Sequence, residues 1–119
     1  MTAVLRALCI DANDPLRLAG FWAGLLDWGK VEDSGAGVSL VPGDRTPFRI
    51  RFLRWNEQKS GPNQVHLHLT STSLADQHAT VARALHLGAT HLDVGQLPEE
   101  GHVVLADPEG NEFCVAPAP

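Results

Sequence analysis

The sequence predicts an α+β chain of two tandem βαβββ modules, which form one curved, cavity-enclosing mixed sheet with the helices outside. Three observations carry this expectation. Val4 and Leu26 recur as Val65 and Leu87, offset by 61 residues in both cases, the mark of an internal structural repeat. Two segments place apolar residues at helical spacing, and the stretches between them alternate apolar and polar residues as half-buried strands do. The chain closes on Asp107-Pro108-Glu109-Gly110-Asn111 between two such strands. Pro presets one dihedral there and Gly or Asn tolerates positive φ, so a hairpin follows.

In the first module a strand is expected over 3–10. Asp14-Pro15 then opens a helix with Pro at its first position, and Leu18, Phe21, Trp22, Leu25 and Leu26 form its apolar stripe. Strands follow near 28–32, 37–41 and 48–55, separated by Gly, Pro and Asp. Lys59 to Asn63 reads as the hinge. The second module begins with a strand over 65–71. Its helix carries Leu74, Val81, Ala82, Leu85 and Leu87 and is capped by Gly88, since glycine accepts the left-handed conformation at a helix end. Strands near 90–94, 102–106 and 112–116 complete it.

At 119 residues the chain is one domain, 1–119, with modules over 1–58 and 64–119, neither holding enough core to stand alone. Hydrophobic content of 44% with 19% charged residues excludes a disordered chain. A formal net charge of −5 argues against a nucleic-acid partner, which needs a basic surface. No apolar run reaches membrane-spanning length, and residues 4–10 are too short for a leader's apolar region. Cys9 and Cys114 both fall inside strand patterns, which points to reduced thiols and a cytoplasmic protein. No Gly-rich phosphate loop, serine nucleophile elbow or Cys-x-x-Cys pair occurs, which leaves hydride-transfer, kinase and hydrolase readings without support.

Strand alternation assigns the faces. Val4, Leu8 and Ile10, then Phe48, Ile50 and Phe52, should pack under the first helix, and Val65, Leu67, Leu69, Phe113 and Val115 under the second. The concave side then receives Arg49, Arg51, Leu53 and Trp55 from the first module and His66, His68, Thr70, Glu112 and Cys114 from the second.

The Asp-Pro-Glu-Gly-Asn-Glu-Phe turn, Val65-His66-Leu67-His68-Leu69, and Asp-Pro followed by Phe-Trp and Leu-Leu in the first module carry a family resemblance. Over essentially its whole length the chain resembles the glyoxalase-like branch of the glyoxalase, bleomycin-resistance and extradiol-dioxygenase (vicinal oxygen chelate) superfamily. The resemblance implies a small-molecule ligand and a homodimer. It also implies a divalent metal held by His and Glu side chains from four strands. Of those positions only His66 matches. The first-strand position falls on Ala7 or Leu5, the fourth-strand carboxylate on Arg51, and the last-strand carboxylate on Cys114, with Glu112 two residues early.

A rearranged site from His66, His68, Glu112 and Cys114 is the metal-binding alternative, whether for zinc, nickel, manganese or iron. Arg51 would repel the ion. The favoured reading is a protein that binds a small anionic or aromatic molecule in the sheet cavity without the usual metal. The alternative is a metal-dependent lyase or isomerase, dioxygenase or antibiotic-resistance enzyme, and a third reading is an interaction module with a vestigial cavity. Whether a reaction is catalysed stays open.

Each candidate has two readings. His66, His68 and Glu112 supply general acid–base groups, or the histidines are a hydrogen-bonded cavity wall with one of them paired to Glu112. Arg49 and Arg51 clamp a carboxylate or phosphate, or they form a salt bridge with Glu112 or a solvated face. Cys114 is a small buried apolar residue, or a nucleophile if His66 lowers its pKa. Trp55 stacks on a ligand or closes the barrel end. Trp22 and Trp28 serve the core or a dimer contact, and His102 sits at the cavity rim. His78, His86 and His91 are surface residues, and Asp107, Glu109 and Asn111 belong to the turn.

Overall fold

A computed structural model of the chain describes residues 2–32, 37–92 and 101–116. They divide into two compact units, Met1–Gln58 and Lys59–Pro119. The class is α+β, and each unit carries a βαβββ element order hydrogen-bonded as its own four-stranded mixed sheet.

In the first unit β1 (Ala7–Ala12) pairs in parallel with β4 (Arg49–Arg54), and β4 pairs antiparallel with β3 (Gly37–Val41). Antiparallel pairing of β3 with β2 (Gly29–Glu32) completes the order β1-β4-β3-β2. Helix α1 (Pro15–Leu26) starts where the Asp14 carboxylate accepts the Arg17 N–H at 3.2 Å and stops at Asp27, whose φ of 59° is left-handed. A short polar side chain is among the few that adopt that conformation routinely. The helix buries Leu18, Ala19, Phe21 and Trp22 over β3 and β4, against a sheet face holding Ile50, Phe52, Val38 and Leu40. Removal of each large apolar side chain from water contributes roughly 1.5–3 kcal/mol. Gly37 is needed because a Cβ there would collide with the Phe52 carbonyl oxygen.

The first strand starts later than its alternation suggests. Val4, expected in the core, is 83% exposed, and Leu5 is 64% exposed. Parallel pairing begins only at Ala7 opposite Arg49, because Pro47, with no N–H to give a ladder, precedes β4. Phe48 is only half-buried ahead of that strand. At its far end Trp55 lies beyond the last strand residue and is 51% exposed, although its N–H still donates to the Ala12 carbonyl at 2.9 Å. Asn13 grips the same segment, donating from Nδ2 to the Trp55 and Glu57 carbonyls at 2.7 and 2.9 Å. Trp22 and Trp28 are both core residues, and Trp28 donates from Nε1 to Asp44 at 3.1 Å.

The second unit repeats the plan: β5 (Leu67–Leu69) pairs in parallel with β8 (Glu112–Val115), followed across the sheet by β7 (Val103–Ala106) and β6 (Thr90–His91). The sequence-based strand over 90–94 ends at residues 93 and 94, outside the described residues. Helix α2 (Leu74–Leu87) is capped by Ser73, which accepts the Asp76 N–H at 3.0 Å, while Asp76 accepts the Thr72 N–H at 2.9 Å. Gly88, with φ 119°, ends it.

The buried stripe of α2 differs from the expected one. Leu74, Ala82 and Leu85 are exposed, Val81 and Leu87 half-buried, and the buried residues are Gln77 and Ala84. Gln77 can be buried because its Nε2 donates to the carbonyls of Gly101 at 2.8 Å and Val115 at 3.0 Å. A polar residue satisfied in this way is invisible to a search for apolar spacing. Strand β5 is likewise shorter than expected, with Val65 66% exposed and His66 outside the ladder. Next to Leu67↔Phe113, the residue that would continue the pairing is Glu112, and it is engaged by Asn63 instead.

Candidate functional site

On the helix-free face of the first sheet the register places Cys9, Arg51 and Ser39 side by side on β1, β4 and β3. Arg51 projects from an interior strand and is half-buried, Ser39 is buried and Cys9 exposed. A guanidinium held on a rigid strand offers a planar fork of donors suited to a carboxylate or phosphate. Leu53 follows on the same face beside Asp11 and Gly37. Arg49 shares this face but sits exposed at the start of β4. Trp55 is separated from the row by the end of the strand.

The second sheet presents His68, Cys114 and Val104 in register on β5, β8 and β7. His68 is exposed and meets the ring of His102 edge-on, with centroids 5.9 Å apart at 84°. Cys114 is 6% exposed, and burial pushes its thiol above the ordinary value. A thiol in that state is a packing group, not an activated nucleophile.

Glu112, expected to pair with a histidine, has other partners. Its Oε2 accepts the Asn63 N–H at 2.8 Å, and its Oε1 meets Lys59 Nζ at 3.2 Å. The His66 ring donates from Nε2 to the Asn63 carbonyl at 2.9 Å. Residues read as a bare hinge therefore fasten to β8 through one carboxylate. Burial, the largest influence on Glu112, works to raise its pKa. The N–H groups of Asn63 and of Glu112 itself, together with Lys59, outweigh it and hold the carboxyl below its usual range.

A depressed carboxyl pKa stabilises the fold above the unfolded-state value and loses that contribution as pH falls through the folded-state value. Glu112→Gln is therefore expected to lower stability by about 1 kcal/mol at pH 7, a figure kept small for solvent screening. The gap to wild type should narrow below pH about 4.5. Urea titrations at pH 7 and pH 3.5 check this; a gap of the same size at both would refute the latch.

The remaining residues take structural places. Asp107 is 4% exposed, and its Oδ1 accepts the Glu109 and Asn111 N–H groups at 2.9 and 3.0 Å. His78, His86 and His91 are exposed. Lys59 and Asn63 read only as hinge residues and Gln77 carried no signal, while the His68–His102 contact joins β5 to the residue before β7 across the intervening β8.

This arrangement of two βαβββ units defines the glyoxalase, bleomycin-resistance and dioxygenase class of fold. The chain belongs to the glyoxalase-like domain family, whose model matches residues 7–116. No curated protein matches the chain. Among solved structures it is similar to a glyoxalase/bleomycin resistance protein/dioxygenase family enzyme from Burkholderia phytofirmans, at 20% identity and TM-score 0.78, covering 95% of this chain and 97% of that one. It is also similar to the fosfomycin resistance protein FosX from Listeria monocytogenes, complexed with Mn(II) and a dihydroxypropylphosphonic acid, at 11% identity and TM-score 0.75, over 100% and 92% of the two chains. The oxidase ChaP-H2 matches at 19% identity and TM-score 0.65, over 100% and 96%. At such identities these likenesses describe the fold, and one fold hosts several chemistries.

The donor set at the superfamily's metal positions does not fit a divalent ion. The first unit offers Ala7 and the cation Arg51. In the second, His66 turns to the Asn63 carbonyl, Cys114 is a buried thiol, and both Glu112 oxygens are taken. Among the described residues no group of three or more His, Cys, Asp or Glu side chains is placed to hold a metal.

Proposed function

We propose that this chain binds a small anionic or aromatic molecule on the helix-free face of its first sheet, with Arg51 as the anchoring group and no resident divalent metal. The observation that carries the reading is the position of Arg51. A half-buried guanidinium stands between Cys9 and Ser39 on an interior strand, where the superfamily's pattern calls for a metal-binding carboxylate. A cation there attracts the anionic groups that a metal would otherwise chelate. His68 and His102 on the second sheet are candidate proton carriers should a reaction follow binding. The reading extends to a homodimer, and to the cytoplasm given the free thiols of Cys9 and Cys114. Sedimentation velocity tests the former.

Calorimetric titration of wild type and Arg51→Ala with a panel of small carboxylates and phosphonates, in chelator-treated buffer, tests the proposal. Loss of one charge-assisted contact should weaken binding about tenfold or more. Unchanged binding of every tested anion in Arg51→Ala would overturn it.

One specific observation favours the metal-dependent alternative: the likeness to FosX complexed with Mn(II). Elemental analysis of protein purified without an affinity tag, on wild type and His66→Ala, separates the two readings. A stoichiometric metal lost in the variant would favour a lyase, isomerase, dioxygenase or antibiotic-resistance enzyme and make Glu112 and Cys114 the next ligands to replace.

A further inference from the structure

A second feature lies at the end of the first sheet, away from the Cys9–Arg51–Ser39 row. An open cavity of about 360 Å³ is lined by Leu5, Arg6, Pro42, Pro47, Phe48 and Arg49, among others. Its size falls at the lower end of the range for small-molecule sites, roughly 300–1,000 Å³. Its walls come from the segment before β1 and from the β3–β4 loop, and both have explicit reasons to be where they are. The Arg49 N–H donates to the Arg6 carbonyl at 3.0 Å, which ties the segment before β1 to the start of β4 at the cavity's edge. Pro42 and Pro47 bracket the loop, and prolines hold such a wall with little conformational freedom.

The charge at this cavity is unbalanced. The chain carries 14 acidic against 9 basic residues, so a cation on its surface has acids to pair with. Neither Arg6 nor Arg49 has a side-chain partner among the described residues. The only acid of the 42–48 loop, Asp44, is committed elsewhere: it accepts from Trp28 Nε1 at 3.1 Å and from the Thr46 N–H at 2.8 Å. Those bonds hold its carboxyl below the ordinary range, the Thr46 side chain contributing most. It is held against Trp28 and Thr46, of which Thr46 lines the cavity while Asp44 does not. Beside the arginines, Val4 and Leu5 stand 83% and 64% exposed, an apolar surface that water solvates poorly. Two guanidinium groups with no side-chain partner among the described residues, set over an apolar wall, match an anion attached to an apolar body.

We infer that this cavity is a binding site for a small amphipathic organic anion, with Arg6 and Arg49 holding the anionic head and Leu5, Pro47 and Phe48 covering an aromatic or branched aliphatic body. Arg51, the anchoring group of the proposed function, does not line it, although Arg49 stands two residues away on the same strand. Arg6 is the residue that separates the two sites, and nothing in the sequence pattern singled it out.

Phenylacetate, phenylphosphonate and the neutral isostere phenylacetamide are titrated into wild type, Arg6→Gln, Arg49→Gln and Arg51→Gln by calorimetry. Backbone amide spectra of each locate the perturbed residues. Arg6 and Arg49 are exposed, so these variants keep the fold, which circular dichroism checks. At least one of the two anions should bind to wild type, with shifts at residues 4–6 and 46–49. The affinity read from those shifts should fall about tenfold or more in Arg6→Gln and Arg49→Gln, while the shifts persist in Arg51→Gln whatever that variant does to binding on the sheet face, and phenylacetamide should bind at least about tenfold more weakly. Which anion binds more tightly distinguishes a carboxylate from a phosphonate head. Absence of binding by either anion, or binding indifferent to Arg6→Gln, overturns the inference. Binding lost only in Arg51→Gln also overturns it and assigns the ligand to the sheet face instead.

Discussion

Replacing Asp107 with alanine is expected to destabilise the chain by about 3 kcal/mol, a loss of roughly 10 °C in melting temperature for a domain of this size. The Asp107 carboxylate is almost fully buried and organises the whole β7–β8 turn. It accepts the Glu109 and Asn111 N–H groups and the Asn111 side-chain amide, while the Gly110 N–H donates to the Asp107 carbonyl at 2.9 Å. Alanine would leave three donors without their shared acceptor, and hydrogen bonds to a charged group are the more valuable kind, about 1.5–3 kcal/mol each. The donors regain part of this from water, which keeps the total below a simple sum. Asp107→Asn should recover a portion, since one amide oxygen can still accept. Urea unfolding followed by circular dichroism measures both; a loss under 1 kcal/mol in Asp107→Ala would mean that the turn holds itself.

The second large effect is expected at Gln77. Leucine there nearly matches the volume and improves the helix's apolar stripe, yet Gln77→Leu should cost about 2–3 kcal/mol. The carbonyls of Gly101 and Val115 would lose the amide that joins helix to sheet, and an unsatisfied buried acceptor costs more than a gained methyl group returns. Gln77→Glu should be worse at neutral pH, because an ionised carboxylate would face two carbonyl oxygens. It should recover as pH falls and the carboxyl protonates. A leucine variant as stable as wild type would show that the two carbonyls find water or another donor.

These two residues mark the divide between what could be read from the chain and what could not. The succession of strands and helices along the chain and the closing turn follow from periodicity and turn chemistry, as does the assignment of Arg51, His68 and Phe113 to faces, whereas the order of strands within each sheet does not. Where a strand ends depends on its partner: Val4 and Val65 alternate correctly but have nothing opposite them to pair with. Tertiary hydrogen bonds carry no periodicity either. Glu112 reads as a cavity acid, and only the fold brings Lys59 and Asn63 to it. Arg49 and Arg51 read alike in the sequence and share a face of β4, but Arg49 is exposed at the strand's first position while Arg51 is half-buried between two neighbouring strands.

The parallel pairing of first strand with last has a consequence for how the chain is made. Cys9 finds Arg51, and His68 finds Cys114, each more than forty positions further along. A ribosome delivers β1 and β5 long before their partners, so each leading strand waits with its hydrogen-bonding edge bare while a helix and two strands assemble without it. Such distant pairings slow folding, because the entropy of closing the loop must be overcome before the contacts form. Synthesis halted before β4 or β8 would therefore release a chain whose β1 or β5 edge has no partner and is available to its neighbours.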